Sequence, residues 1–545
     1  MTLLPTECIQ EILKHVQTDE NLFSCLLVNH AWCINVIPLL WSDPFKYKEI
    51  TRETKNFYFL DNYLRSLNQD ETNLLIQQGI NIFHHDKQII DYVSFLKVIE
   101  FGGLSKIIEN WMEYYIYIDS DEIFLKYYSN VFDVLLRLFM RQSDIQTLCI
   151  NEMHALSQSN MHIILPDISI FTLDNPGIKL IKELHIHFEN GQFYEELLSI
   201  VSTLCTQIQI ISLSLNRTNL PLKYFVNNII RNQARLNSIA LKCDRKYKNE
   251  RELNLLFKSL NLHVNWLKSI ELSKFEINIL DFSLIFSQEN DHNLLKLTLI
   301  NCRLYIKKYD LIEDLKDLRL PINNLTVQSC FFTLYGNKIS FDEIYSPLFF
   351  QIIGTNLKNL SLNVLDKKII NSILTYCTNI NSLEVFDLRH QNFPNFFTLI
   401  KNLELTKLKI SMDCDHDTLF LLKLIDNLPV TLNLLVLKNL RNFNNLHYFL
   451  KKFHAPNLSE IILYQKSHNY NSFFELLNNF KDCIEFIELR NIHTFGIEYE
   501  KNVNIDDIND FNQLKKFYSI NKTNWKLKWG HKGFYMISNS LCNIK

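Results

Sequence analysis

The sequence predicts an α/β solenoid. Residues 1–45 read as a three-helix module and 46–140 as a helix-rich connector with room for degenerate repeats. Residues 141–520 read as a curved array of about thirteen repeats, parallel strands inside and helices outside, and 521–545 as a C-terminal cap. Three observations lead there. A chain of 545 residues exceeds what one hydrophobic core holds, so several domains or a repeat array is expected. An L-x-x-L-x-L pattern of apolar residues recurs in phase from Ile145 to Leu489, with helically spaced apolar residues between the recurrences. Glycine (10) and proline (11) are scarce, which argues against flexible linkers and against a tight-turn all-β architecture.

The N-terminal module runs LPTECIQEILKHVQTDENLFSCLLVNHAWCINVIPLLWSDPF from Leu4 to Phe45. Pro5 has a fixed φ and no donor to lose, so it suits a first helical turn. Ile9, Ile12, Leu13 and Val16 then fall at i, i+3, i+4 and i+7 and make one apolar stripe. Asp19 suits the cap of a second helix, whose Leu22, Cys25 and Leu26 line one face. Ala31 to Ile37 reads as a third helix that Pro38 stops, with Leu39, Leu40 and Trp41 closing the unit. So short a unit buries too little surface to be robust alone, and its surplus of Leu, Ile, Val and Trp asks for a partner surface.

Leu4-Pro5 with Glu7, Ile12-Leu13, Val28 before Trp32, and Leu40-Trp41 stand in an order and spacing that resembles the F-box, the adaptor-binding module of SCF-type ubiquitin ligases. The wording VNHAWC…PLLWSDPF looks especially like fungal F-box proteins, and the resemblance covers about a twelfth of the chain. It implies docking on a Skp-type adaptor, and through it on a cullin-RING core, by Leu4, Pro5, Ile9, Ile12, Leu13, Leu26, Val28, Trp32, Leu40 and Trp41. The implied role is a non-catalytic substrate-recognition subunit that brings a target protein to ubiquitin transfer. A plain three-helix cap sealing the first repeat, on a leucine-rich-repeat scaffold with no ligase role, is the alternative.

In the connector, Phe59-Leu60, Tyr63-Leu64, Leu67 and Leu74-Leu75 fit helical spacing, as do Ile107-Ile108, Trp111, Tyr115 and the run from Phe124 to Phe139. Tyr92 to Phe101 reads as a possible strand. The repeat triplets are Ile145/Leu148/Ile150, Ile181/Leu184/Ile186, Ile208/Ile211/Leu213, Leu236/Ile239/Leu241, Leu267/Ile270/Leu272, Leu294/Leu297/Leu299 and Ile322/Leu325/Val327. Leu357/Leu360/Leu362, Ile380/Leu383/Val385, Leu405/Leu408/Ile410, Leu432/Leu435/Leu437, Leu458/Ile461/Leu463 and Ile484/Ile487/Leu489 follow. Their mean spacing of about 28 residues falls within the range of leucine-rich repeats. Asn301-Cys302 and Ser329-Cys330 follow strands, where a small polar side chain can bond the turning backbone.

Residues flanking the second and third apolar positions face the concave side. The early face offers Glu183, His185, His187, Ser212 and Ser214; the late face offers Phe386, Leu434, Val436, Ile462, Tyr464, Phe486 and Arg490. Exposed aromatic and aliphatic anchors are what a protein partner grips, so the late group is the candidate target-binding set. Cover by neighbouring loops or by the C-terminal segment is the competing reading. His185 and His187 make a metal pair with no identifiable third ligand, and Asp413 to Asp417 fails as a calcium loop because Thr418 and Leu424 stand where Gly and Glu are needed. No metal or cofactor is expected. No P-loop, dinucleotide, hydrolase, zincin or kinase signature occurs, and no cysteine stands beside a local base, so no catalytic residue is assigned. The alternating aromatic and basic run Lys522 to Tyr535 reads as an edge hairpin over the last repeat rather than an RNA-stacking strip or an acidic-peptide clamp.

The formal net charge is −3, which makes no bulk electrostatic case for nucleic acid or an anionic membrane as partner. Twelve scattered cysteines without a C-x-x-C pair and an N-terminus that does not read as a signal peptide point to reduced thiols in the cytoplasm or nucleus.

Overall fold

The computed structural model describes residues 4–16, 19–45, 58–80, 90–116, 120–150, 154–156, 161–163, 166–172, 176–187, 191–215, 222–279, 294–306, 320–334, 345–363, 365–412, 417–438, 449, 452, 456–465, 494–499, 525–530 and 533–538. They fall into two compact units, residues 1–268 and 269–545.

The first unit opens with helices α1 (Thr6–Lys14), α2 (Asp19–Leu26) and α3 (His30–Leu40). Helices α1 and α2 both lie against α3, and Gln10 Nε2 donates to Asn35 Oδ1 across 3.1 Å. Asn29 caps α3 by accepting the Trp32 N–H at 3.1 Å. Pro38 does not stop this helix, contrary to the sequence reading: it removes one backbone donor, yet the Trp41 N–H still reaches the Ile37 carbonyl at 3.0 Å.

Helices α4 (Tyr58–Leu64) and α5 (Gln69–Gln77) follow, then strand β1 (Val98–Glu100), α6 (Phe101–Tyr115) and α7 (Asp121–Gln142). A reciprocal capping box of Asn68 and Glu71 starts α5. Trp41, Phe45, Tyr63 and Phe139 form an aromatic cluster, with Tyr63 edge-on to Phe139 at 5.0 Å. Helix α6 crosses this cluster so closely that a Cβ on Gly103 would collide with the Phe45 carbonyl. Glu71 takes a two-pronged ion pair from Arg141, which ties α5 to α7.

Parallel strands β1, β2 (Thr147–Ile150), β5 (Glu183–His187), β6 (Ile210–Leu215) and β7 (Ser238–Tyr247) pair in that order. The short strands β3 (His154–Leu156) and β4 (Met161–Ile163) form a separate antiparallel pair. Helices α8 (Gly191–Leu204), α9 (Leu222–Asn228) and α10 (Glu250–Asn261) alternate with the later strands. Register places Leu148 beside Leu184, Leu184 beside Ile211 and Ile211 beside Ile239, so each apolar position meets its counterpart one rung on. At the edge where strands begin, the N–H groups of Gln146, Lys182, Gln209, Asn237 and Lys268 each donate to the carbonyl of the preceding column member, starting from Lys97, at 2.7–2.8 Å. The ladder begins earlier than the triplet pattern indicated. Leu96, Ile99 and Phe101 are buried, and Ile99 pairs with Leu148, so a rung lies inside the segment read as connector.

In the second unit parallel strands β8 (Ser269–Asn278), β9 (Lys296–Ile300), β11 (Asn324–Gln328), β13 (Asn359–Leu362) and β14 (Ser382–Leu388) pair in sequence. Strands β15 (Lys407–Met412), β16 (Leu434–Lys438), β17 (Glu460–Gln465) and β18 (Thr494–Tyr499) continue them. Helices 345–353, 367–376, 393–402 and 417–425 lie between the strands. Asp366 caps the second of these by accepting the Lys368 and Ile369 N–H groups at 2.7 and 2.8 Å.

Lys274, Asn301, Ser329 and Asp387 share one ladder position, five residues past the starts of β8, β9, β11 and β14, and all have positive φ, 66°, 53°, 51° and 51°. After the first three the chain turns into a second short parallel ladder, the end of β8 with β10 (Arg303–Ile306) and β12 (Phe331–Leu334). The turn is fastened by thiols: Cys302 Sγ donates to the Leu272 carbonyl at 3.2 Å and Cys330 Sγ to the Leu299 carbonyl at 3.3 Å.

Residues 484–489 of the thirteenth triplet lie outside the described residues. Strand β18 pairs with the edge of β17 away from β16, which sets Phe495 beside Ile461 and Ile497 beside Leu463. Strand β20 (Gly533–Ser538) lies antiparallel on β18 and pairs with β19 (Trp525–Gly530) as a hairpin. In the first twelve triplets no residue is more than 8% exposed.

Candidate functional site

The N-terminal helices carry apolar side chains in excess of what they bury. Among the described residues, seven of the seventeen exposed large hydrophobics are Leu4, Ile12, Phe23, Leu27, Val28, Ile34 and Leu39. Leu27, at the α2–α3 corner, is 88% exposed and its neighbour Val28 57%. Burying such side chains against a partner is worth about 1.5–3 kcal/mol each, so this surface is suited to protein docking.

The ten residues assigned to adaptor docking divide in two. Leu4, Pro5, Ile12 and Val28 are exposed, and Leu26 and Trp32 are half-buried. Ile9, Leu13, Leu40 and Trp41 are buried within the chain, which corrects their reading as contact residues. Ile9 and Leu13 form the inner half of the α1 stripe. Trp41 is enclosed by Phe59, Tyr63 and Tyr92 at 4.9, 5.4 and 4.1 Å. Phe23, Leu27, Ile34 and Leu39, outside the assigned set, are exposed as well. The helical period marked them as apolar, but which face the connector covers is decided by tertiary contacts.

The strand face of the second unit changes character along its length. Strands β11 and β13 present Asn324, Thr326, Asn359 and Ser361, while Thr298 on β9 is buried. Further on, Phe386, Leu434 and Ile462 are half-buried, and Val436 is buried, too enclosed to serve as the anchor assigned to it. Between these regions Lys438 Nζ reaches Glu384 Oε1 at 3.0 Å, and the Ser361 hydroxyl donates to Glu384 Oε2 at 3.5 Å. Tyr464 lies on β17 with its side chain outside the described residues; Phe486 and Arg490 lie outside them altogether.

No family model and no curated protein matches this chain.

Of the remaining candidates, His187 Nδ1 lies 2.9 Å from the Ser214 hydroxyl and His185 lies 3.8 Å from Glu183, so both rings are engaged locally. Residues 413–416 of the acidic knot lie outside the described residues, and Asp417 begins a helix. Burial pushes the Cys205 and Cys377 thiols up to about 12, which keeps them protonated and poorly nucleophilic at neutral pH. Among the described residues no helix is long and apolar enough to cross a membrane.

Proposed function

We propose that this chain is the substrate-recognition subunit of an SCF-type ubiquitin ligase, linking a target protein to an adaptor–cullin core. The supporting observation is the surface around Leu27 and Val28: a three-helix unit with F-box-like Leu-Pro, Val-x-x-x-Trp and Leu-Trp elements turns apolar side chains outward. In this reading Leu4, Pro5, Ile12, Val28 and Leu27 meet a Skp-type adaptor, while Ile9, Leu13, Leu40 and Trp41 hold the helices in shape. Phe386, Leu434 and Ile462 grip the target. The mechanism is proximity: a stiff arm raises the concentration of target lysines near an activated ubiquitin that other subunits supply.

The test is co-expression of the full chain with a Skp-type adaptor and recovery of the pair. A Leu27→Asp/Val28→Asp variant that melts like the parent should lose the adaptor; undiminished recovery overturns the reading. A scaffold role without ligase partners is the second reading, favoured by the inward seating of Leu40 and Trp41. It predicts that the parent chain itself recovers no adaptor.

A further inference from the structure

The strand-start edge of the first unit carries a local charge opposite to that of the chain. In the backbone-bonded column, Lys182 and Lys268 are exposed, with Gln209 and Asn237 between them. Two residues before the column members, at equivalent points of successive rungs, stand Leu180, Gln207, Arg235 and Trp266, all exposed. The Arg235 guanidinium lies over the Trp266 ring at 4.5 Å, which fixes both side chains at this edge. Lys179 and Arg231 are also exposed here, the latter with its Nε donating to the Ser259 hydroxyl at 3.0 Å.

Segments 176–182, 204–209, 229–237 and 253–268, which build this edge, contain no Asp or Glu. Asp144, at the far end, is 3.7 Å from Lys97, and Glu183, one residue into β5, faces His185. Apolar side chains stand among the cations: Leu262 is 66% exposed and Trp266 43%.

We propose that this edge binds an anionic phospholipid surface. Exposed Lys and Arg near such a surface are drawn to headgroup phosphates. Leu and Trp at turn tips gain by entering the boundary between headgroups and acyl chains, where an indole has both an apolar body and a polar N–H satisfied. A nucleic acid gains nothing from Leu180 and Leu262, and one face of the only tryptophan here is already covered by Arg235. The net charge of −3 averages this edge with the acidic remainder, so bulk charge does not describe it.

Sedimentation of the full chain with phosphatidylcholine vesicles, with and without phosphatidylserine, tests the inference. The parent should pellet only with phosphatidylserine and release as salt rises. Partition should fall by about fivefold for each cation neutralised, so Lys182→Glu/Lys268→Glu should stay in the supernatant while Lys182→Arg/Lys268→Arg pellets like the parent. Leu262→Ser/Trp266→Ser should lose binding even at low salt. Circular dichroism melts matching the parent confirm that these exposed changes leave the fold intact. Absence of pelleting, equal pelleting with neutral vesicles, or pelleting unchanged by charge reversal overturns it. So does charge-sensitive capture of a uridine homopolymer by a chain that ignores vesicles, an outcome that would assign the edge to nucleic acid.

Discussion

Trp41 stacks on Tyr92 with ring centroids 4.1 Å apart and planes 30° from parallel. Tyr92 precedes the 3₁₀ turn Val93–Phe95 that leads into β1, so this contact joins the end of the N-terminal helical unit to the first rung of the ladder. The Lys97 and Val98 N–H groups both donate to the Ser42 carbonyl, at 2.9 and 3.0 Å, which reinforces the same junction. Trp41→Ala should therefore cost about 3–5 kcal/mol, read as a lowered denaturant midpoint of the full chain. A cost under about 1 kcal/mol would show that the indole sits in a loose environment.

Leu27→Asp and Val28→Asp should behave in the opposite way. Both side chains are exposed, so each change should alter stability by no more than about 0.5 kcal/mol. Adaptor recovery is the property expected to respond. Urea titration beside pull-down separates the two effects.

Arg141→Ala strands the Glu71 carboxylate, which is only 9% exposed as a residue. Losing one partner of a largely enclosed pair costs more than the pair contributes net, and about 2–4 kcal/mol is expected here. A compensating Glu71→Leu/Arg141→Leu variant should recover most of that loss. A single variant as stable as the parent would mean that water reaches the site freely.

Asp133 accepts the Asp167 N–H at 3.1 Å, and burial pushes its carboxyl up to about 6, above the usual carboxylate range. The folded chain thus holds this proton more tightly than the unfolded chain does. Its contribution to stability is fully present below about pH 4 and is lost as pH rises through about 6. Asp133→Asn keeps an acceptor and removes the titration. The variant should match the parent near pH 4 and melt higher near pH 7; a constant offset at both pH values would contradict this account.

The repeat triplets were legible because each needs only a local period of three and two, repeated at a spacing the chain keeps. Leu96/Ile99/Phe101 obeys the same rule and lies in the stretch read as a possible strand, but helices α6 and α7 separate Ile99 from Leu148 by far more than the usual spacing, so the period alone does not join it to the array. The N-terminal surface was half legible. Periodicity identifies Ile9, Ile12 and Leu13 as one stripe, but the packing of α1 on α3 decides that Ile9 and Leu13 turn inward while Ile12 faces water. Pro38 does not end α3 because one missing donor removes a single backbone bond, and the flanking turns of the helix hold without it.

The column Gln146–Lys182–Gln209–Asn237–Lys268 has a consequence for solvent chemistry. Lys182 and Lys268 present their side chains to water, yet their amide protons are committed to the rung behind them. In deuterium oxide these amides should be among the slowest to exchange in the first unit, and they should exchange together when the strands separate. A lysine can thus be chemically accessible at its tip while its backbone reports on the opening of the whole stack.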